Sequence, residues 1–185
     1  MNVLLTSCGL ETKAIEDKFM AMLPKDPADI KAMFIPTAAN YPDAIEVLPK
    51  CLEDLLKIGI KRENITVNDL HYATEGNLRD SVDVIYLCGG SPAYLLQRIN
   101  ENGFRKDLFE FIKAGGVVLG VSAGSIVFAD NLPDNLGLLK CPLDVHCSLE
   151  TREAAGSYNR ERTERIKLGD LQGIVFEEDE LIVFE

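Results

Sequence analysis

The chain is short of positive charge, of histidine and of long apolar runs, and each shortage excludes something. Its 185 residues carry 19 lysines and arginines against 30 aspartates and glutamates, a net charge of −11. Nucleic acid and anionic membrane surfaces both require a basic face, so neither is expected as a partner. There are two histidines, His71 and His146, which rules out a three-histidine metal site. Without an HxxxH or HxH pairing, no metal and no cofactor are expected. No apolar run approaches the roughly 20 residues that span a bilayer. The N-terminal MNVLLTSCG has no basic segment ahead of its apolar residues, so it does not read as a secretory leader. The five cysteines are scattered, with no CxxC pair, and read as reduced, packed thiols in a cytoplasmic protein. No GK[ST] or GxGxxG phosphate loop, internal repeat, linker or low-complexity segment occurs.

What remains is an ordinary balance for a single folded domain over residues 1–185, with 46% apolar and 26% charged residues. Strand and helix patterns alternate. Short apolar runs at Asn2–Ser7, Ile30–Ile35, Asn64–Leu70, Val82–Leu87 and Val117–Val121 predict strands. Thr12–Leu23, Asp43–Ile58, Pro92–Ile99 and Arg105–Ala114 have helical spacing. This alternation predicts an α/β fold: a flavodoxin-like three-layer sandwich whose central sheet is mostly parallel, with helices on both faces. Residues 148–165 are polar and charge-dense and predict a loop or surface helix. Ile166–Leu168, Gly173–Phe176 and Leu181–Phe184 predict a short antiparallel extension after the core.

The chemistry concentrates in GGVVLGVSAGS, residues 115–125. An apolar strand ends in Gly120-Val121-Ser122-Ala123-Gly124, which is G-x-S-x-G. In a sharp strand-to-helix turn the positions two before and two after the serine need minimal side chains, and the hydroxyl is pushed out above the sheet. In open parallel sheets, sites form at the carboxyl ends of the strands, where Ser122 lies. The bland alternative is a small-residue turn with serine as a helix cap. A second glycine turn, Leu87-Cys88-Gly89-Gly90-Ser91-Pro92, lets backbone approach a ligand and present an N–H. A serine nucleophile needs a base, and His146 in LDVHCS is the candidate. His71 reads as a surface or packing residue. Asp130, Asp134 and Asp144 all qualify as the acid that orients the histidine.

These residues resemble the peptidase E (α-aspartyl dipeptidase) family and the related cyanophycinases. The resemblance runs through FIPTAA (Phe34–Ala39), YLCGGSPAYLL (Tyr86–Leu96), GVSAGS (Gly120–Ser125), the Gly137 region and the VHC histidine. It implies a serine peptidase on a flavodoxin-like core, with Ser122 as nucleophile, His146 as base and the N–H groups of Gly90 and Ala123 as oxyanion donors. It implies small peptide substrates, dipeptides with N-terminal aspartate, and a monomer or homodimer. A basic residue past the histidine is implied as the reader of the aspartate carboxylate. Arg162 in NRERTERI matches that place, with Arg160 and Arg165 as rivals. Ser91 stands where the family has asparagine after its two glycines and is expected beside the substrate. Aligning on Pro133 puts Asn131 at the family's aspartate, with Asp130 adjacent. Two rival functions share the same residues: an esterase of the GxSxG type, and a family member that binds a ligand in the old pocket without efficient catalysis.

Overall fold

The computed structural model describes residues 1–72 and 78–185. Its elements run β1 (Val3–Thr6), α1 (Lys13–Met22), β2 (Ala32–Ile35), α2 (Pro42–Glu46), α3 (Leu48–Lys57), β3 (Ile65–Val67), α4 (Leu78–Ser81), β4 (Val84–Leu87), α5 (Pro92–Glu101), α6 (Phe104–Lys113), β5 (Val117–Val121), α7 (Ala123–Ile126), then β6 (Leu143–Cys147), β7 (Gly156–Asn159), β8 (Ile166–Gly169), β9 (Gly173–Glu177) and β10 (Glu180–Phe184). The main sheet has eight strands in the order β3-β2-β4-β5-β1-β9-β10-β7. Its first five strands are parallel and its last three are added antiparallel. The expected mostly parallel α/β sheet with an antiparallel C-terminal part is present.

The central strands are buried on both sides because alternate residues enter two different cores. Val3, Leu5, Met33, Ile35, Ile85, Leu87 and Val118 face one core, shared with Leu95, Leu108 and Phe111 of α5 and α6. Leu4, Ala32, Phe34, Val84, Tyr86, Val117 and Leu119 face the other, with Ile15 and Phe19 of α1 and Leu55 of α3. Period-two alternation with apolar residues on both faces is what a covered parallel sheet demands.

Three local readings change. The helix expected over Asp43–Ile58 is two helices meeting at Val47, because Pro49 supplies no N–H and falls in the first turn of α3. The polar segment 148–165 contains an edge strand, β7, which pairs with β10. The Ile166 strand does not join the antiparallel extension. It becomes β8 and pairs in parallel with β6 in a separate two-stranded sheet, which carries the site described next.

Candidate active site

β5 ends at Val121, and the chain turns at Ser122 into α7. Ser122 has φ +50° and ψ −107°, a backbone conformation that side chains rarely adopt. The surrounding glycines show why the turn needs small residues. A Cβ on Gly120 would stand 2.5 Å from the Gly124 carbonyl oxygen, and one on Gly124 would stand 2.2 Å from that of Leu87. α7 therefore starts hard against the ends of β4 and β5, and the serine is forced outward. Ser125, fully buried, locks the turn from below: its Oγ accepts from Thr6 N at 3.0 Å and lies 2.7 Å from the Gly120 carbonyl oxygen.

Ser122 Oγ lies 3.0 Å from His146 Nε2. The other ring nitrogen, Nδ1, lies 2.8 Å from Asp170 Oδ1. His146 reaches this place through a break in the β6–β8 ladder between Asp144 and Cys147, where its own φ is +59°. Such a bulge re-aims a side chain out of the strand's regular alternation. Cys147 pairs with Gly169, and the irregularity before Cys147 together with the turn after Gly169 lets His146 and Asp170 meet at the end of the small sheet. The turn carrying Asp170 is held by buried Gln172, which accepts from Gly169 N at 2.9 Å and donates to the Glu153 carbonyl at 2.9 Å. Ser7 binds both partners: its Oγ accepts from His146 N at 2.7 Å and donates to Asp170 Oδ1 at 3.3 Å.

Burial pushes the Asp170 carboxyl up. Hydrogen bonds from Cys8, His146 and Ser7, with the charge of His146, outweigh that push and hold it below the ordinary carboxylate value. An ionised carboxylate only accepts, so in the neutral ring Nδ1 carries the proton and Nε2 keeps the lone pair that faces the Ser122 hydroxyl. The cleft in front of the serine has a volume of about 270 Å³, and Tyr41, Lys50, Asp54 and Gly90 are among the residues that line it. Lys50 pairs with Glu11. Gly90 has φ +137°, and a Cβ there would lie 2.1 Å from the Ala38 carbonyl oxygen. Among the described residues, neither Gly90 N–H nor Ala123 N–H donates to a backbone carbonyl.

Other expected site residues lie elsewhere. Asn131 is not beside His146. Its side chain accepts from Leu143 N at 2.8 Å and donates to the Leu143 carbonyl at 3.0 Å, which anchors the start of β6. Asp130 accepts from Asn135, and Asp144 pairs with Arg165. The Asp134 carbonyl is held by Arg105 at 2.7 Å. Arg162 is turned into its own segment, 4.8 Å over the Tyr158 ring and 3.4 Å from Glu153, and is not among the cleft-lining residues. Arg160 lies 5.2 Å over the Phe176 ring, away from the cleft. Ser91 caps α5, its Oγ accepting from Tyr94 N at 3.3 Å. His71 sits between Asp69 and Tyr94. Sequence reasoning missed Asp170 because every candidate it weighed lies between the serine and the histidine; LGDLQG, a strand running into a turn, was the available signal.

The model of peptidase family S51 matches residues 3–136. The chain belongs to this family. Among its relatives, an uncharacterized peptidase of Listeria monocytogenes serovar 1/2a is 33% identical over 108 residues, 54% of this chain and 48% of the relative. One from Listeria innocua serovar 6a is 32% identical over 105 residues, 54% and 47% of the two chains. The chain thus spans about half the length of the curated relatives it matches. The structure of a protein described as a peptidase E from Listeria monocytogenes EGD-e superposes with a TM-score of 0.73 at 21% identity, covering 100% of this chain and 98% of that one. That likeness concerns the fold. The S51 match ends before His146 and Asp170, so their proximity to Ser122 is a feature of the tertiary structure alone.

Proposed function

We propose that the protein is a serine peptidase acting on short peptides, with Ser122 as nucleophile, His146 as base and Asp170 as the residue that orients the base. The observation that carries this reading is the continuous line Ser122 Oγ, His146 Nε2, His146 Nδ1, Asp170 Oδ1, with spacings of 3.0 and 2.8 Å, at the edge of the cleft. In this reading Ser122 Oγ attacks the peptide carbonyl carbon while its proton passes to Nε2. The N–H groups of Gly90 and Ala123 receive the oxyanion. Imidazolium, held by Asp170, then protonates the leaving amine, and water attacks the acyl-serine by the same route.

The small cleft suits a dipeptide better than a folded chain. Family likeness points to N-terminal aspartate, and in this reading Lys50, which lines the cleft and pairs with Glu11, receives its side chain in place of Arg162. The test is a panel of Asp-Xaa, Glu-Xaa, Asn-Xaa and Ala-Xaa dipeptides, with Ser122→Ala as control. Hydrolysis of Asp-Xaa that disappears in the control is expected. Cleavage of p-nitrophenyl esters with no dipeptide cleaved would overturn the reading. Lys50→Met is expected to raise KM for Asp-Xaa far more than for Ala-Xaa.

A further inference from the structure

Cys8 follows directly on Ser7 in the turn after β1, and its Sγ lies 3.5 Å from His146 Nδ1. The thiol donates towards Asp170 but transfers no proton in the peptidase scheme above. Together, Cys8 Sγ, His146 Nδ1 and an Asp170 carboxylate oxygen all lie within 4.8 Å of one another, and this is the one such group of three among the described residues. Sulfur, imidazole nitrogen and carboxylate oxygen form a donor set that suits zinc. Tetrahedral zinc, with bonds of about 2.0–2.3 Å, places neighbouring donors roughly 3.5 Å apart. The Cys8–His146 separation already has that value. The His146–Asp170 separation of 2.8 Å has to open slightly, as it must once the proton between them leaves. Ser7 Oγ, 3.5 Å from Nδ1 and 3.3 Å from Asp170 Oδ1, borders the same space. The His146 and Asp170 side chains are 50% and 55% exposed, so an ion reaches them from solvent, and the net charge of −11 concentrates cations at the surface.

We propose that Cys8, His146 Nδ1 and Asp170 form a zinc(II) site whose filling switches off the base of the Ser122 pair. The inhibition rests on the peptidase reading; the binding does not. Zinc takes the Nδ1 lone pair and displaces the proton that Asp170 held there. The neutral ring then carries its proton on Nε2, and the Cys8 thiol releases its proton to water as the thiolate binds. Nε2 becomes a donor facing Ser122 and has no lone pair with which to remove the hydroxyl proton. Nothing is oxidised or reduced, and a chelator restores the original tautomer.

Two arms test this on the whole protein. Cobalt(II), titrated as a spectroscopic stand-in for zinc, is expected to give a thiolate charge-transfer band, lost in Cys8→Ser and in His146→Ala. In the activity arm, zinc is expected to inhibit dipeptide cleavage reversibly. Whatever basal turnover Cys8→Ser keeps, its inhibition is expected to need more than about tenfold more zinc than that of the parent, at least what loss of an outer partner alone costs a metal site. A cobalt band unchanged in Cys8→Ser would place the ion on another cysteine and overturn the proposal. So would equal zinc inhibition of both proteins, or no band at all. If no peptide is hydrolysed, the cobalt arm still decides whether the site exists, so failure of the peptidase reading and failure of the metal site are told apart.

Discussion

At the scale of single residues, Ser122 and Asp170 make the sharpest predictions. Ser122 holds a positive φ with a β-carbon attached, a strain of order 1–3 kcal/mol. Ser122→Ala and Ser122→Gly should both lose turnover, yet the glycine variant should be more stable than the alanine variant by about 1 kcal/mol. Thermal or urea unfolding of the pair checks this, and equal stabilities would mean the turn carries no strain. Asp170→Asn presents an amide donor to Nδ1 and drives the ring proton to Nε2, so kcat should fall by about 10⁴ with the fold intact. Because the folded carboxyl of Asp170 titrates below its ordinary value, its contribution to stability is complete above the ordinary carboxylate range. It is lost as pH falls through the lower, folded value. A pH series of unfolding midpoints should therefore be flatter on its acid side in Asp170→Asn than in the parent.

At the scale of elements, the site depends on side chains that fasten one segment to another. Asn131 grips both backbone groups of Leu143, three residues before His146. Asn131→Ala should cost about 1–3 kcal/mol of stability by leaving them unpaired, and should lower kcat by displacing the base. Asn131→Asp, which keeps the acceptor but loses the donor, should recover part of the stability and none of the role that Asp170 holds. Asp54 on α3 accepts from Tyr86 of β4 at 2.8 Å and from Leu10 N at 3.3 Å, so it ties the turn after β1 to the cleft wall. Burial raises its carboxyl above the usual range. Asp54→Asn keeps an acceptor for both donors and should be tolerated at neutral pH, whereas Asp54→Ala orphans them and should destabilise by about 1–3 kcal/mol. Chemical denaturation of the two variants separates these outcomes.

At the scale of the whole molecule, the excess of acidic residues surrounds a site proposed to take acidic peptides. That field repels an anionic substrate at low ionic strength, and salt screens it over roughly 10 Å at 0.1 M. The kcat/KM for Asp-Xaa should therefore rise as salt is added, while that for Ala-Xaa should move little. Opposite trends would mean that local cationic charge at Lys50 dominates the approach. No helix among the described residues is long and apolar enough to cross a membrane, in line with the absence of long apolar runs in the sequence.

Alternating apolar runs and turn glycines were enough, by themselves, to determine the layered parallel core and the outward placement of Ser122. Those features depend on neighbours a few residues apart, where backbone sterics and period-two burial act directly. Gly120 and Gly124 are legible in the same way, because each serves a turn it belongs to. The partners of Ser122 were only half legible. His146 stood out by scarcity, but Asp170 lies 24 residues beyond it and reaches it only because β8 pairs in parallel with β6. Strand pairing across that distance is set by which apolar faces close the core, and no local spacing encodes it. For the same reason Asn131 looked like an orienting residue and is an anchor, Arg162 looked like a substrate reader and packs on Tyr158, and Cys8 lies against the base from the far end of the chain.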